Sequence, residues 1–175
     1  MTVDLLVMTL DEVDGIKKIM PKVKKEWVDR IIIVDGGSTD GTIEEARKMG
    51  FEVLVQKEKG WGEGFLMGAN ASNADYIIMW GPDGNFEPEE IPKFAELARE
   101  GYYDQVIISR FAKTSVNEDA GLFDAFGNRM FTFLANIFFE GYLTDSLNGS
   151  RMISRKALNE INFHDKGKNF AGVMQ

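Results

Sequence analysis

Short apolar runs alternate with amphipathic stretches over the first 110 positions of the chain. Val3-Asp4-Leu5-Leu6-Val7-Met8 opens a strand candidate reaching Leu10, apolar enough to be buried. From Asp14 to Arg30 the spacing turns helical, with Ile16, Ile19, Met20, Val23 and Trp27 on one stripe, and Pro21 is placed to kink or split that helix. Arg30–Asp35 is a β-branched run of the kind covered on both faces of a sheet, and Gly36-Gly37-Ser38 ends it. Thr42 is placed as an N-cap with Glu45 completing a capping box, and Gly50 as a left-handed C-cap. The alternation then repeats: strand Phe51–Gln56, helix Gly62–Ser72, strand Ala74–Trp80, a helix with Pro88 in its first turn that stops at Gly101, and strand Gln105–Ser109. Strand–helix–strand alternation with short connections predicts an α/β fold, a mainly parallel central sheet with helices on both faces.

Beyond Arg110 the pattern changes. Ala120–Tyr142 holds Phe123, Phe126, Phe131, Phe133, Phe138 and Phe139 out of 13 phenylalanines in the chain. The spacing suits one or two helices with wide apolar faces. Core packing is the simpler account, and a surface that meets lipid or an apolar partner is the sharper one. A short strand at Gly149–Ile153 and a helix capped by Ser154 follow.

Composition narrows the chemistry. The 175 residues suffice for one domain with its own core, and 44% hydrophobic with 27% charged residues is ordinary for a globular chain. Cysteine is absent and His164 is the one histidine. Thiolate and His-cluster metal sites and Cys nucleophiles are thereby excluded, leaving carboxylates as metal ligands. His164, in Asn-Phe-His-Asp, reads as a solvated or core residue. Twenty basic against 28 acidic residues give a formal net charge of −8, a poor match to nucleic acid. Such a protein needs a basic patch or a divalent cation to handle phosphates. The first strand is too short to span a bilayer and lacks the marks of a signal peptide, so a cytoplasmic location is expected.

Ligands of open parallel sheets bind at the carboxyl ends of strands. Three such ends here are polar: Thr9-Leu10-Asp11-Glu12, Asp35 to Asp40, and Gly81-Pro82-Asp83-Gly84-Asn85. One such cluster on its own reads as turn chemistry, whereas three on successive strand ends point to a site for ribose hydroxyls, base N–H groups or a hard cation. No Gly-x-Gly-x-x-Gly follows the first strand, and no P-loop or Gly-x-Ser-x-Gly elbow is present.

These motifs, taken in order, resemble family 2 glycosyltransferases of the GT-A fold. Ile33-Val34-Asp35-Gly36-Gly37-Ser38-Thr39-Asp40-Gly41-Thr42 is similar to that family's V-V-D-D-G-S-T-D-G-T. Gly60-Trp61-Gly62, Gly68 and Asp75-Tyr76 follow in register, and Trp80 to Ile91 resembles M-D-A-D-G-Q-F-x-P-E-E-I with its D-x-D element. Ser109-Arg110 resembles G-S-R, and Asp145 to Arg151 is similar to the D-x-x-x-G-F-R of dolichyl- and polyprenyl-phosphate sugar synthases. The resemblance covers essentially the whole chain. It implies one GT-A domain over 1–175, with a nucleotide-binding half at 1–110 and an acceptor half at 111–175, where Gly167 to Ala171 looks like the approach to a further segment.

The resemblance implies an inverting transfer from a nucleotide-diphosphate sugar (UDP-, GDP- or dTDP-linked) to a polyprenyl phosphate or lipid-linked glycan. Carried over by position, Glu12 and Asp35 hold the base and ribose, with Thr9, Leu10, Gly37, Gly60 and Asp83 completing the nucleotide-binding set. Asp83 with Asn85 holds Mg²⁺ or Mn²⁺ at the diphosphate. Arg110, Arg129 and Arg151 hold donor or acceptor phosphates, and Asp83, Arg110 and Asp145 form the catalytic set. A lipid phosphate acceptor is already anionic and needs no base, whereas a sugar hydroxyl would need one, for which Asp145 is the candidate. Arg151, Arg155, Lys156, Lys166 and Lys168 against Glu160 and Asp165 make the late segment basic, which favours the lipid phosphate and a peripheral contact of 120–142 with the inner membrane face. Two departures stand out: Gly36 replaces the second Asp of V-D-D-G, and Gly81 the first Asp of D-x-D. They keep open a non-catalytic nucleotide-sugar-binding or scaffold domain. A nucleotidyltransferase needs a Gly-rich loop with Arg and Lys after the first strand, which Thr9–Asp14 lacks.

Overall fold

The computed structural model describes residues 1–109, 122–138, 143–145 and 148–161. Six strands form one sheet: β1 (Val3–Thr9), β2 (Arg30–Asp35), β3 (Glu52–Val55), β4 (Tyr76–Trp80), β5 (Gln105–Ile107) and β6 (Arg151–Ser154), in the order β3-β2-β1-β4-β6-β5. β1 pairs in parallel with β2 and with β4, and β2 with β3, while β6 runs antiparallel to both β4 and β5. The expected mainly parallel sheet is present, with an antiparallel intruder between its last two parallel members.

Helices cover both faces. On one side α1 (Val13–Lys18), α2 (Thr42–Lys48) and α4 (Glu90–Glu100) pack over Leu5, Val7, Ile33, Ile78 and Trp80. Ile91, Phe94, Ala95 and Ala98 of α4 are buried at i, i+3, i+4 and i+7, the stripe that an amphipathic helix presents to a core. On the other side α3 (Trp61–Ala71) and α6 (Arg155–Glu160) cover Leu6, Ile32, Val34, Ile77 and Met79. α3 lies almost directly on the sheet. A Cβ on Gly68 would stand 2.7 Å from Leu6 Cδ1 and 2.9 Å from Val34 Cγ2, so no larger residue fits there without displacement.

Three local expectations are corrected. The helix expected over 14–30 ends at Lys18, and two 3₁₀ turns at Met20–Lys22 and Lys25–Trp27 carry the chain to β2, with Pro21 inside the first. Thr42 is not an N-cap. Gly41 takes that position at φ 99°, and Thr42 is buried with its hydroxyl donating to Asp40 and accepting from the Glu12 N–H at 2.8 Å. Pro88 precedes the helix it was expected to open, since α4 begins at Glu90. Gly50 and Gly101 do adopt positive φ, and the Ser154 hydroxyl accepts from Ala157 N at 3.0 Å as the α6 cap.

The described part of the Phe-rich segment is one helix, α5 (Leu122–Phe138). Core packing fails for its second half. Met130, Phe131, Phe133, Ile137 and Phe138 are exposed, Phe138 by 74%. No helix among the described residues is long and apolar enough to cross a membrane.

Candidate active site

The strand order places the topological switch between β1 and β4, and the crevice beyond their carboxyl ends is where an open sheet receives a ligand. Every strand contributes to this end of the sheet. β1, β2, β3 and β4 finish here, β6 starts here because Arg151 lies opposite Met79, and β5 finishes here because Ile107 also lies opposite Arg151. Thr9 to Glu12, Asp35 to Asp40, Gln56, Gly81 to Asn85, Ser109 and Asn148 to Arg151 therefore share one edge.

The loops after β1 and β2 are laced together through polar side chains. Asp35 is fully buried and accepts four hydrogen bonds: from Thr9 Oγ1 at 2.8 Å, Ser38 Oγ at 2.6 Å, and the N–H groups of Gly37 at 2.9 Å and Ser38 at 2.7 Å. Both of its oxygens organise the loop. Asp11 stands at φ 54°, where Asp is tolerated better than most residues, and ties the loops a second time. Its N–H donates to Ser38 Oγ, and its Oδ1 accepts from Thr39 N, both at 2.8 Å. Asp40 Oδ2 accepts from Val13 N at 3.0 Å, satisfying the start of α1 from the neighbouring loop. These bonds hold the Asp40 carboxyl below its ordinary range, with Thr42 the first cause. Asp11, Ser38 and Asp40 stood in the polar strand-end clusters without a named role, and Thr42 was expected only as a cap. The density of Asp, Ser and Thr over 35–42 was the signal, and it reads equally as ligand contact or as loop lacing.

Glu12 is partly exposed at the mouth of this crevice. Burial raises its carboxyl above the ordinary range, and the negative charges of Asp83 and Asp40 add to the rise, so the three acids face a common space. The Asp83 loop is set by α1: a Cβ on Gly15 would stand 2.0 Å from the Pro82 carbonyl oxygen, so helix and loop are in backbone contact. Asp83 is exposed and accepts from Asn85, at 3.0 Å from its N–H and 2.8 Å from Nδ2. Among the described residues no group of three or more His, Asp or Glu gathers as a metal cage. One carboxylate and the Asn85 Oδ1 beside it nevertheless fit Mg²⁺ or Mn²⁺, which keep waters and phosphate oxygens as their remaining ligands.

The late arginines differ. Arg151 is 4% exposed; its guanidinium donates to the Asn148 carbonyl, burial pulls its pKa down, and the nearby Asp145 opposes that fall. Asp145 is itself 2% exposed. Trp80 Nε1, Ser150 Oγ and Arg151 Nε are buried at this end of the sheet and make no hydrogen bond among the described residues. Arg129 is exposed on α5. Arg110, His164, Phe139, Lys166, Lys168 and Gly167 to Ala171 lie outside the described residues.

Comparison with known proteins supports the same reading of the fold. Crystal structures of glucosyl-3-phosphoglycerate synthase from Mycobacterium tuberculosis, one with Mn²⁺, UDP and glucosyl-3-phosphoglycerate, superpose with a TM-score of 0.69 at 22% identity over 90% of this chain and 58% of that one. The low-salt glycan biosynthesis hexosyltransferase Agl6 of Haloferax volcanii is 30% identical over 99% of this chain and 43% of its own length. The dolichyl-phosphate hexose transferase of the same organism is 31% identical over 75% of this chain and 56% of its own. The chain thus spans about half the length of these relatives. Residues 6–162 match Glycosyl transferase family 2. With the GT-A arrangement of the sheet and the match running through nearly every described element, the chain belongs to that family.

Proposed function

We propose that this chain transfers a sugar from a nucleotide diphosphate to a polyprenyl phosphate, with inversion at the sugar carbon. The observation that carries the reading is the shared edge of the sheet, where the laced β1 and β2 loops face the Asp83–Asn85 loop across the switch point. The nucleotide lies against Thr9, Leu10, Glu12, Gly37 and Gly60. Asp83 and Asn85 hold the divalent ion, which neutralises the diphosphate when bound. An acceptor phosphate needs no base, and Arg110 and Arg129 are the candidates to hold it. Arg151, buried against Asp145, serves as a support for the Asn148 turn.

The lipid part of the acceptor is favoured by α5, whose exposed Phe131, Phe133, Ile137 and Phe138 suit the acyl boundary of a membrane. The relatives named for dolichyl phosphate, including the UDP-N-acetylglucosamine–dolichyl-phosphate N-acetylglucosaminyltransferase of Methanococcus voltae at 24% identity, are consistent with that class. The test is incubation with UDP-, GDP- and dTDP-sugars, Mn²⁺ and polyprenyl phosphate, with the lipid product read by mass spectrometry. A glycosylated lipid that disappears in Asp83→Ala, with the fold retained, is expected. Nucleotide-sugar binding without transfer to any acceptor supports instead a domain that kept the fold and lost activity, the reading that Gly36 and Gly81 favour.

A further inference from the structure

Gln56 follows directly on β3 at the floor of the crevice, and its own loop orients its side chain. Its N–H donates to the Asp35 carbonyl at 2.8 Å, keeping β3 and β2 paired one residue past the strand. Its Nε2 donates to the carbonyls of Gly60 at 2.7 Å and Glu58 at 3.3 Å. Two carbonyl acceptors on one side of an amide require the NH₂ there, so Oε1 points away from them. On that side stand two glycines. Oε1 is 3.3 Å from the position a Cβ on Gly36 would take and 2.9 Å from that of Gly64. Oε1 accepts no hydrogen bond from the described residues.

The other wall is Leu10, whose Cδ1 lies 3.2 Å from the same Gly36 Cβ position. Leu10 is 60% exposed, an aliphatic side chain left open at the end of a buried strand. The result is a slot with a glycine floor, one apolar wall and one carbonyl oxygen that accepts no hydrogen bond from the described residues. Asp35 cannot supply that acceptor, since both its oxygens are engaged in the loop. Gly36 keeps the slot open, because a side chain there would project between Leu10 and Gln56.

We propose that Gln56 selects the nucleobase of the donor: its Oε1 accepts a ring N–H while the flat ring lies against Leu10 over Gly36. The inference rests on the nucleotide-sugar reading above. The matching chemistry is a base with a protonated ring nitrogen on its pairing edge, N3–H in uracil or thymine and N1–H in guanine. Cytosine and adenine present a lone pair at the same place, which Oε1 repels and cannot bond.

The experiment is calorimetry with Mn²⁺ on two pairs matched in size, UDP against CDP and GDP against ADP, for the wild type and for Gln56→Leu. In the wild type the N–H base of the bound pair should be preferred by about tenfold, the scale of one hydrogen bond replaced by an unpaired acceptor. In Gln56→Leu that preference should fall to within about twofold. A residue that only shaped the loop would weaken all nucleotides together and leave the ratio intact. Equal binding of both members in the wild type overturns the inference, as does a ratio that survives in Gln56→Leu. Gly36→Val, which fills the slot from its floor, should abolish discrimination if Gln56→Leu is unstable, and retained discrimination there overturns it too. Absence of binding by any nucleotide diphosphate to the wild type would overturn the donor-site reading itself, a result distinct from a lost preference.

Discussion

Asp35 has no exposed surface, yet it decides where Gly37 and Ser38 sit. Both oxygens of this buried carboxylate are committed to donors, and replacing one of them leaves N–H and O–H groups poorly matched. Asp35→Asn should lower stability by about 3 kcal/mol, measured by urea unfolding, because one acceptor oxygen becomes a donor facing other donors. Nucleotide affinity should fall with it, since the loop loses its anchor. Gly15 sets the neighbouring loop in a different way. A methyl group there meets the Pro82 carbonyl at 2.0 Å, so Gly15→Ala should cost about 1–3 kcal/mol and displace Asp83. Its transfer rate should drop more than its melting temperature suggests, a comparison that enzyme assay and calorimetry together provide. The polar cluster around Asp35 stood out in the sequence, and the loop hydrogen bonds that Asp35 accepts did not. The same Asp-Gly-Gly-Ser chemistry makes an Asx-type turn and a ligand loop, and only the positions of the donors separate the two. Gln56 closes the expected strand Phe51–Gln56 and was given no role, because nothing in the sequence shows which groups its amide meets.

At the level of elements, a second polar cluster lies at the opposite end of the sheet. Asp4 on β1 is buried and accepts from Ser72 Oγ at 2.7 Å, at the end of α3. Arg155, opening α6, donates to the carbonyls of Ala69, Ser72 and Ala74 at 2.9–3.2 Å. The cluster joins β1, α3 and α6. Burial raises the Asp4 carboxyl above its ordinary value of 3.8, with the Ser72 bond and Arg30 opposing the rise. A raised acid favours the folded state most when protonated. The contribution of Asp4 is therefore present below about pH 3.8 and lost as the pH rises through its higher folded value. Asp4→Asn cannot titrate. Its melting temperature relative to the wild type should accordingly fall as the pH is lowered from 7 toward 4; a constant difference would contradict the assignment. The strands were legible because β-branched runs covered on both faces have few alternatives. The antiparallel place of β6 was not, since Arg-Met-Ile-Ser carries no mark of direction.

For the whole molecule, the net charge of −8 is a functional constraint as well as a composition. On the proposed function a diphosphate approaches the end of the sheet that carries Glu12, Asp40 and Asp83; burial raises the Glu12 pKa first, and the negative charges of Asp83 and Asp40 add to the rise. A nucleotide diphosphate brings further negative charge to the same place. Without a cation, binding would work against repulsion; with Mn²⁺ at the proposed Asp83–Asn85 site, the ion would be attracted to both partners. Adding a chelator should therefore weaken UDP binding by at least about tenfold, since that corresponds to only 1.4 kcal/mol of lost attraction. Salt separates the two regimes by sign. Screening reduces whichever interaction dominates, so metal-supported affinity should fall as ionic strength rises, and the weak metal-free affinity should increase. Asp83→Asn should behave in Mn²⁺ as the wild type does in chelator, with the salt slope reversed. Parallel slopes with and without Mn²⁺ would show that the nucleotide is held without help from the ion, and that the late arginines, not the carboxylates of the β4 loop, carry its charge.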